Sequence, residues 1–134
     1  MRNISVRFEP DDKLPSVAVD RVQIQQVVLN LLLNSSEALM TVSGDMRKIV
    51  IQTSQKDTQN ITVAIKDNGP GVDEQIIDRL FEPFYTTKKE GLGMGLAISR
   101  SIVESHRGSL WAENNSDSGV TFYFTIPVFK RRSA

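Results

Sequence analysis

VVLNLLLNSSEAL, residues 27–39, reads as the middle of a helix that is apolar around most of its circumference, with two asparagines lodged in it. Asparagine is a mediocre helix former because its amide competes for backbone hydrogen bonds. An amide enclosed without partners costs about 1–3 kcal/mol. With successive side chains about 100° apart, Gln23, Gln26, Asn30, Asn34 and Glu37 align on one narrow face. Val27, Val28, Leu29, Leu31, Leu32 and Leu33 fill most of the remainder. A solvated surface helix shows the reverse proportion, a broad polar face beside a narrower apolar one. Two readings follow. The stripe is satisfied by neighbouring backbone and water, or it is a cleft wall offering neutral oxygen ligands to a hydrated cation such as Mg2+. The helix alone does not choose between them.

Outward from this helix, Asp20 can serve as its N-cap, and the pattern fades at Ser43-Gly44-Asp45, which is turn chemistry. Upstream, SVRFEPD and SVAVD read as short strands joined through DKLP. Downstream, KIVIQTSQK and NITVAIKDN form a strand pair around the loop DTQN. VDEQIIDRL reads as a short helix with acidic residues in its first turn. FEPFYTTKKEGLGMG has no period and reads as a loop. LAISRSIVESHR is a helix closed by Gly108 as its C′ residue. GSLWAENN and GVTFYFTIP end the chain as strands around SDSG. This order predicts an α+β fold, a two-layer α/β sandwich whose mixed, mostly antiparallel sheet packs on about three helices.

The 134 residues suit a single domain with a real core. Sixteen basic residues balance sixteen acidic ones, so no bulk field favours nucleic acid or an anionic membrane. Lys130-Arg131-Arg132 at the end of the chain reads as a solvated tail. The absence of cysteine removes disulfides and thiolate metal sites and fits a reducing compartment. No apolar run has the length of a membrane span, and the first residues lack the apolar core of a signal peptide.

Five of the eight glycines, Gly69, Gly71, Gly91, Gly93 and Gly95, fall between positions 69 and 95. In IKDNGPGV an apolar strand ends at Asp67 and turns through Asn68-Gly69-Pro70-Gly71, which lets backbone approach a flat ligand without a Cβ in the way. An ionised carboxylate only accepts hydrogen bonds. A partly buried Asp67 therefore needs a donor such as an adenine amino group; the alternative is that it caps its own turn. In GLGMGLAISRSIV alternate glycines run into a helix start, an arrangement of unhindered N–H groups suited to phosphates. It matches neither the dinucleotide fingerprint nor the P-loop, and taken alone it could be a flexible loop.

Together these residues resemble the catalytic and ATP-binding domain of sensor histidine kinases, in the GHKL superfamily. The resemblance is greatest to the branch of oxygen-, dicarboxylate- and nitrogen-sensing kinases. It runs from about Val17 to Pro127 through DRVQIQQVVLNLLLNSSEAL, DNGPGV, FEPFYTTK, GLGMGLAISR, IVESHRG and SGVTFYFTIP, in that order. It implies a Bergerat-type fold and two cofactors, ATP and Mg2+. By motif match, Asn34 would hold Mg2+ through its amide oxygen, with Asn30 lining the same site. Asp67 would accept from the adenine amino group, Gly69, Gly71 and Val72 would edge the base, and Thr121 would assist there. Gly91, Gly93, Gly95 and Leu96 would surround the phosphates, with Lys88 approaching from a lid that runs from Phe84 to Gly91 and moves when nucleotide is absent. One departure is Glu37, where relatives in other branches carry Lys or Arg; a carboxylate cannot neutralise a γ-phosphate, although it could reach Mg2+ directly or through water.

The implied reaction passes the γ-phosphoryl of ATP to a histidine on a separate dimerisation domain, which feeds a response regulator. Residues 1–134 are then one ATP-binding domain of a larger kinase, facing the cytoplasm whether or not the whole protein is membrane-anchored, with no nucleic acid partner and no direct membrane contact. His106, the only histidine, lacks an acceptor's surroundings and reads as structural. Asn30 stands where ATPases of the superfamily carry a water-activating glutamate, so hydrolysis should be very slow. The alternatives are an ATPase conformational switch and a docking module that keeps the fold without nucleotide. Phe81, Phe84 and Tyr85 either dock onto missing helices or fill this domain's own core.

Overall fold

A computed structural model describes residues 4–83 and 95–129. Its strands are β1 (Ser5–Glu9), β2 (Lys48–Ser54), β3 (Asn60–Asp67), β4 (Leu110–Asn114) and β5 (Val120–Pro127), and its α-helices are α1 (Arg21–Ala38) and α2 (Gly95–Ser105). The strands form one sheet in the order β1-β2-β3-β5-β4. Only β1 and β2 run parallel; every other pair is antiparallel. Along β3 and β5, alternate residues Ile61, Val63, Ile65 and Val120, Phe122, Phe124, Ile126 pack with Val27, Leu31, Leu39 and Val103 of the helical layer. This is the expected α+β sandwich.

The helix is set where the sequence places it. Asp20 is extended and its Oδ1 accepts from the N–H of Gln23 at 3.1 Å, the side-chain cap that a helix start needs. The apolar surround is real: Val27 and Leu31 are fully buried, yet Val22, Leu29 and Leu33 on the outward side are exposed.

Three expectations change. SVAVD forms no strand, only a single bridge between Val17 and Val128. Pro15 has no N–H to give and Asp20 is taken by the cap, so too few residues remain for a ladder. VDEQIIDRL is not an α-helix but a short 3-10 turn, Ile77–Phe81, reached through Ile76 N–H to Asp73 and Arg79 N–H to Ile76. Pro83 forces Glu82 into extended backbone and stops it.

The third change concerns the exit of α2. Arg107, not Gly108, takes the left-handed conformation (φ 65°) as C′. Its N–H bonds Glu104 and the N–H of Gly108 bonds Val103, each at 2.9 Å, a complete Schellman pair. Gly108 is needed for space instead, because a Cβ there would lie 1.8 Å from the carbonyl oxygen of Thr125.

His106 locks the same corner. Its Nε2 accepts from the N–H of Asp20 at 3.0 Å, and its Nδ1 lies 2.8 Å from the carbonyl of Ile102. A carbonyl can only accept, so Nδ1 carries the proton and the ring is neutral. Phe81 fills this domain's own core, edge-on to Phe122 at 6.2 Å; Phe84 and Tyr85 lie outside the described residues.

Candidate functional site

Asp67 ends β3 on the face turned to α1 and is 3% exposed. Its Oδ1 accepts from the N–H of Gly69 at 2.9 Å and from the N–H of Val120 at 3.2 Å. The first bond is the turn cap foreseen as the alternative reading of this residue, so one carboxylate oxygen is structural. Burial pushes the carboxyl above its ordinary value, while the two backbone donors and the Ser35 hydroxyl beside it favour the charged form.

The turn from β4 to β5 wraps this acid. The Asn115 amide donates to the carbonyls of Asp67 at 3.0 Å and Ser118 at 2.9 Å. Gly119 (φ 85°) brings its backbone so close that a Cβ would meet the Asp67 carbonyl oxygen at 2.1 Å. Gly71 also needs positive φ (84°), and Asn114 pins the segment after it by accepting from the N–H of Val72 at 2.8 Å and donating to its carbonyl. Gly69 is buried against the end of α1, where a Cβ would come within 3.4 Å of the Ala38 carbonyl.

The amide stripe meets the start of α2. Asn30 Nδ2 donates to Ser99 Oγ at 3.1 Å and to the Gly95 carbonyl at 3.4 Å. With its donor committed there, the Asn30 amide keeps only its oxygen to offer outward. Asn34 is half-buried one turn on. A Cβ at Gly95 would meet no atom of the described residues within 4 Å, so none of them fills the space beside the start of α2. Leu96 packs against the core, which leaves its backbone rather than its side chain for a ligand.

One helix therefore borders both features. Asn30 touches the start of α2, while Ser35 and Ala38 lie against the acidic turn, and the five residue steps from Asn30 to Ser35 rise about 7.5 Å. Among the described residues no cluster of His, Cys, Asp or Glu could hold a metal by itself. Neutral amide oxygens on one wall suit a cation that keeps several waters and arrives with phosphates, as Mg2+ does.

Thr121 is not part of this arrangement. It pairs with Lys66 across the sheet, and alternation turns its side chain to the face opposite Asp67. There its hydroxyl donates to Asn115 Oδ1, at the edge of a recess of about 290 Å3 lined also by Gln52, Lys66 and Tyr123. The donor supplied beside Asp67 is instead the backbone of Val120. Lys88, Gly91 and Gly93, with the rest of the lid, lie outside the described residues. Sequence reasoning missed Ser35, Asn114, Asn115 and Gly119. The run ENNSDSG announced a turn, but nothing in it announced that the turn closes on Asp67.

Residues 19–130 match the family described as histidine kinase-, DNA gyrase B- and HSP90-like ATPases. Sensor histidine kinase TmoS of Ectopseudomonas mendocina is 44% identical over 126 residues, 93% of this chain and 13% of that protein. Sensor protein FixL of Bradyrhizobium diazoefficiens is 43% identical over 127 residues, 95% of this chain and 25% of that protein. The nucleotide-free catalytic domain of histidine kinase ThkA superposes with a TM-score of 0.79 at 38% identity, covering 94% of this chain and 80% of that one. ThkA has also been solved in complex with the response regulator TrrA (TM-score 0.76, 34% identity, 96% of this chain and 35% of that one). The chain spans about an eighth and a quarter of the two curated relatives.

Proposed function

The chain belongs to the histidine kinase-, DNA gyrase B- and HSP90-like ATPases, and from that membership we propose that it is the nucleotide-binding catalytic domain of a two-component sensor histidine kinase. The observation that carries this reading is the single wall α1: Asn30 joined to the opening of α2 at one level, Ser35 beside Asp67 and Ala38 against Gly69 of its turn at the other. A carboxylate in a cramped, mostly dry turn suits the amino group of adenine. An open, glycine-led helix start suits phosphates.

In this reading Asp67 accepts from the base, Gly69, Gly71 and Val72 edge it, and Asn34 holds the magnesium that accompanies the phosphates, with Asn30 lining the same site. Gly91, Gly93, Gly95 and the N–H of Leu96 surround those phosphates, and Lys88 approaches from the lid. Magnesium neutralises phosphate charge; the protein's own contribution is positioning and electrostatics. The bond from the β,γ-bridging oxygen to the γ-phosphorus breaks, a nitrogen–phosphorus bond forms on a histidine of a separate dimerisation domain, and ADP leaves. The phosphoryl group then passes to a response regulator, the kind of partner found with ThkA. In this reading the domain faces the cytoplasm. No described helix is long and apolar enough to cross a membrane.

Calorimetric titration with ADP and a non-hydrolysable ATP analogue, with and without Mg2+, tests the reading. Both nucleotides should bind, the triphosphate more tightly when magnesium is present. If neither binds, the reading fails; if magnesium changes nothing, the role of Asn34 fails. The isolated chain should also turn over fewer than about one ATP per minute, far below the usual enzyme range; faster turnover would favour an ATPase switch.

A further inference from the structure

Ser35 and Ser36 are neighbours on α1 with opposite fates. The Ser36 hydroxyl donates back to the Leu32 carbonyl at 2.8 Å, the ordinary way a helical serine discharges its hydroxyl. Ser35 is 0% exposed, and its Oγ has no hydrogen-bond partner among the described residues. Its position belongs to the buried face of Val27, Leu31 and Leu39, where an apolar side chain would be expected. A buried unpaired hydroxyl is costly to a protein, and this one lies beside the Asp67 carboxyl, close enough to favour its charge but short of hydrogen-bond geometry.

We propose that Ser35 is a base-recognition residue, its hydroxyl completing, directly or through one water, the set of groups that reads a purine. This rests on the nucleotide reading above and adds a residue and a chemistry to it. Asp67 in its charged form can only accept, and its Oδ1 is already engaged by Gly69 and Val120. A carboxylate alone reads a donor and nothing else. The hydroxyl of Ser35 supplies the missing donor. Carboxylate and hydroxyl side by side complement an exocyclic amino group next to an unprotonated ring nitrogen, the edge formed by N6 and N1 of adenine. The partner that Ser35 lacks among the described residues is then brought by the ligand.

The test is a calorimetric comparison of wild type and Ser35→Ala with ADP and 1-deaza-ADP, in which N1 is replaced by C–H. Wild type should prefer ADP about five- to tenfold, the worth of one hydrogen bond. Ser35→Ala should weaken ADP binding by the same factor and lose the preference. Its melting temperature without ligand should stay level or rise, because an unpaired buried hydroxyl has been removed. Equal ADP affinity in both proteins, or an undiminished preference in the variant, overturns the role of Ser35 while leaving the nucleotide reading intact. A wild type that binds no ADP overturns the nucleotide reading, and this inference with it.

Discussion

Gly119 and Gly95 have opposite surroundings. A Cβ on Gly119 would lie 2.1 Å from the carbonyl oxygen of Asp67, whereas one on Gly95 would meet no atom of the described residues within 4 Å. At the acidic turn glycine removes atoms so that two strands and a turn can close on a carboxylate. At the start of α2 it leaves atoms out where none of the described residues comes near. The first is a demand of the fold, the second of whatever enters. The same residue type therefore carries two kinds of information, and substitution separates them.

The largest effect is expected at Gly119. Gly119→Ala combines a left-handed backbone with a collision against backbone rather than a movable side chain, so unfolding in urea should show a loss of about 3–5 kcal/mol. A loss below about 1 kcal/mol would mean that the turn yields, and the contrast with Gly95 would dissolve.

Asp67→Asn comes next. The amide oxygen can still accept from Gly69 and Val120, so the empty chain should be no less stable, while affinity for ADP should drop about 10- to 100-fold as an acceptor becomes a donor. Unchanged affinity would detach Asp67 from the base. The pH dependence has the same origin. Burial raises the folded-state value above the ordinary 3.8, so between the two the folded chain binds more protons than the unfolded one. The cost of holding the charge is complete above the raised value and gone below 3.8. In that window Asp67 makes the empty chain gain stability as pH falls, while ADP affinity declines because the donor-seeking carboxylate disappears. Chemical unfolding and titration across weak acid, with Asp67→Asn as the flat control, measure both slopes.

Gly95→Ala should act in the reverse sense. Stability should rise by up to about 1 kcal/mol, since alanine is the better helix residue, while binding of triphosphate relative to adenosine declines. An unaltered ratio would mean that the open space is not where phosphates sit. The smallest effect is reserved for Arg107→Gly. With its positive φ and exposed side chain, it should gain about 0.5–1 kcal/mol. It isolates the share of the Gly119 penalty that comes from backbone conformation, without a clash.

These contrasts also mark what the sequence could disclose. Asp20, the amide stripe and the alternating strands were legible because each is a local pattern whose period or cap chemistry is read in a few residues. Asp67 stood out as an acid closing an apolar strand. What stayed hidden depends on residues far apart in the chain: Asn115 and Val120 reach Asp67 across 48 and 53 positions. The face presented by Thr121 follows from strand register, which a motif match does not contain. Ser35 could not be told from Ser36 by period, since only packing decides which hydroxyl finds a carbonyl.

The neutral ring of His106 has a further consequence. One nitrogen holds its proton against the Ile102 carbonyl, and the lone pair of the other is taken by the N–H of Asp20. A histidine must bring a free lone pair to attack phosphorus, and this one has none to bring. The chain should therefore stay unlabelled when held with radioactive ATP, and any phosphohistidine has to appear on some other polypeptide segment.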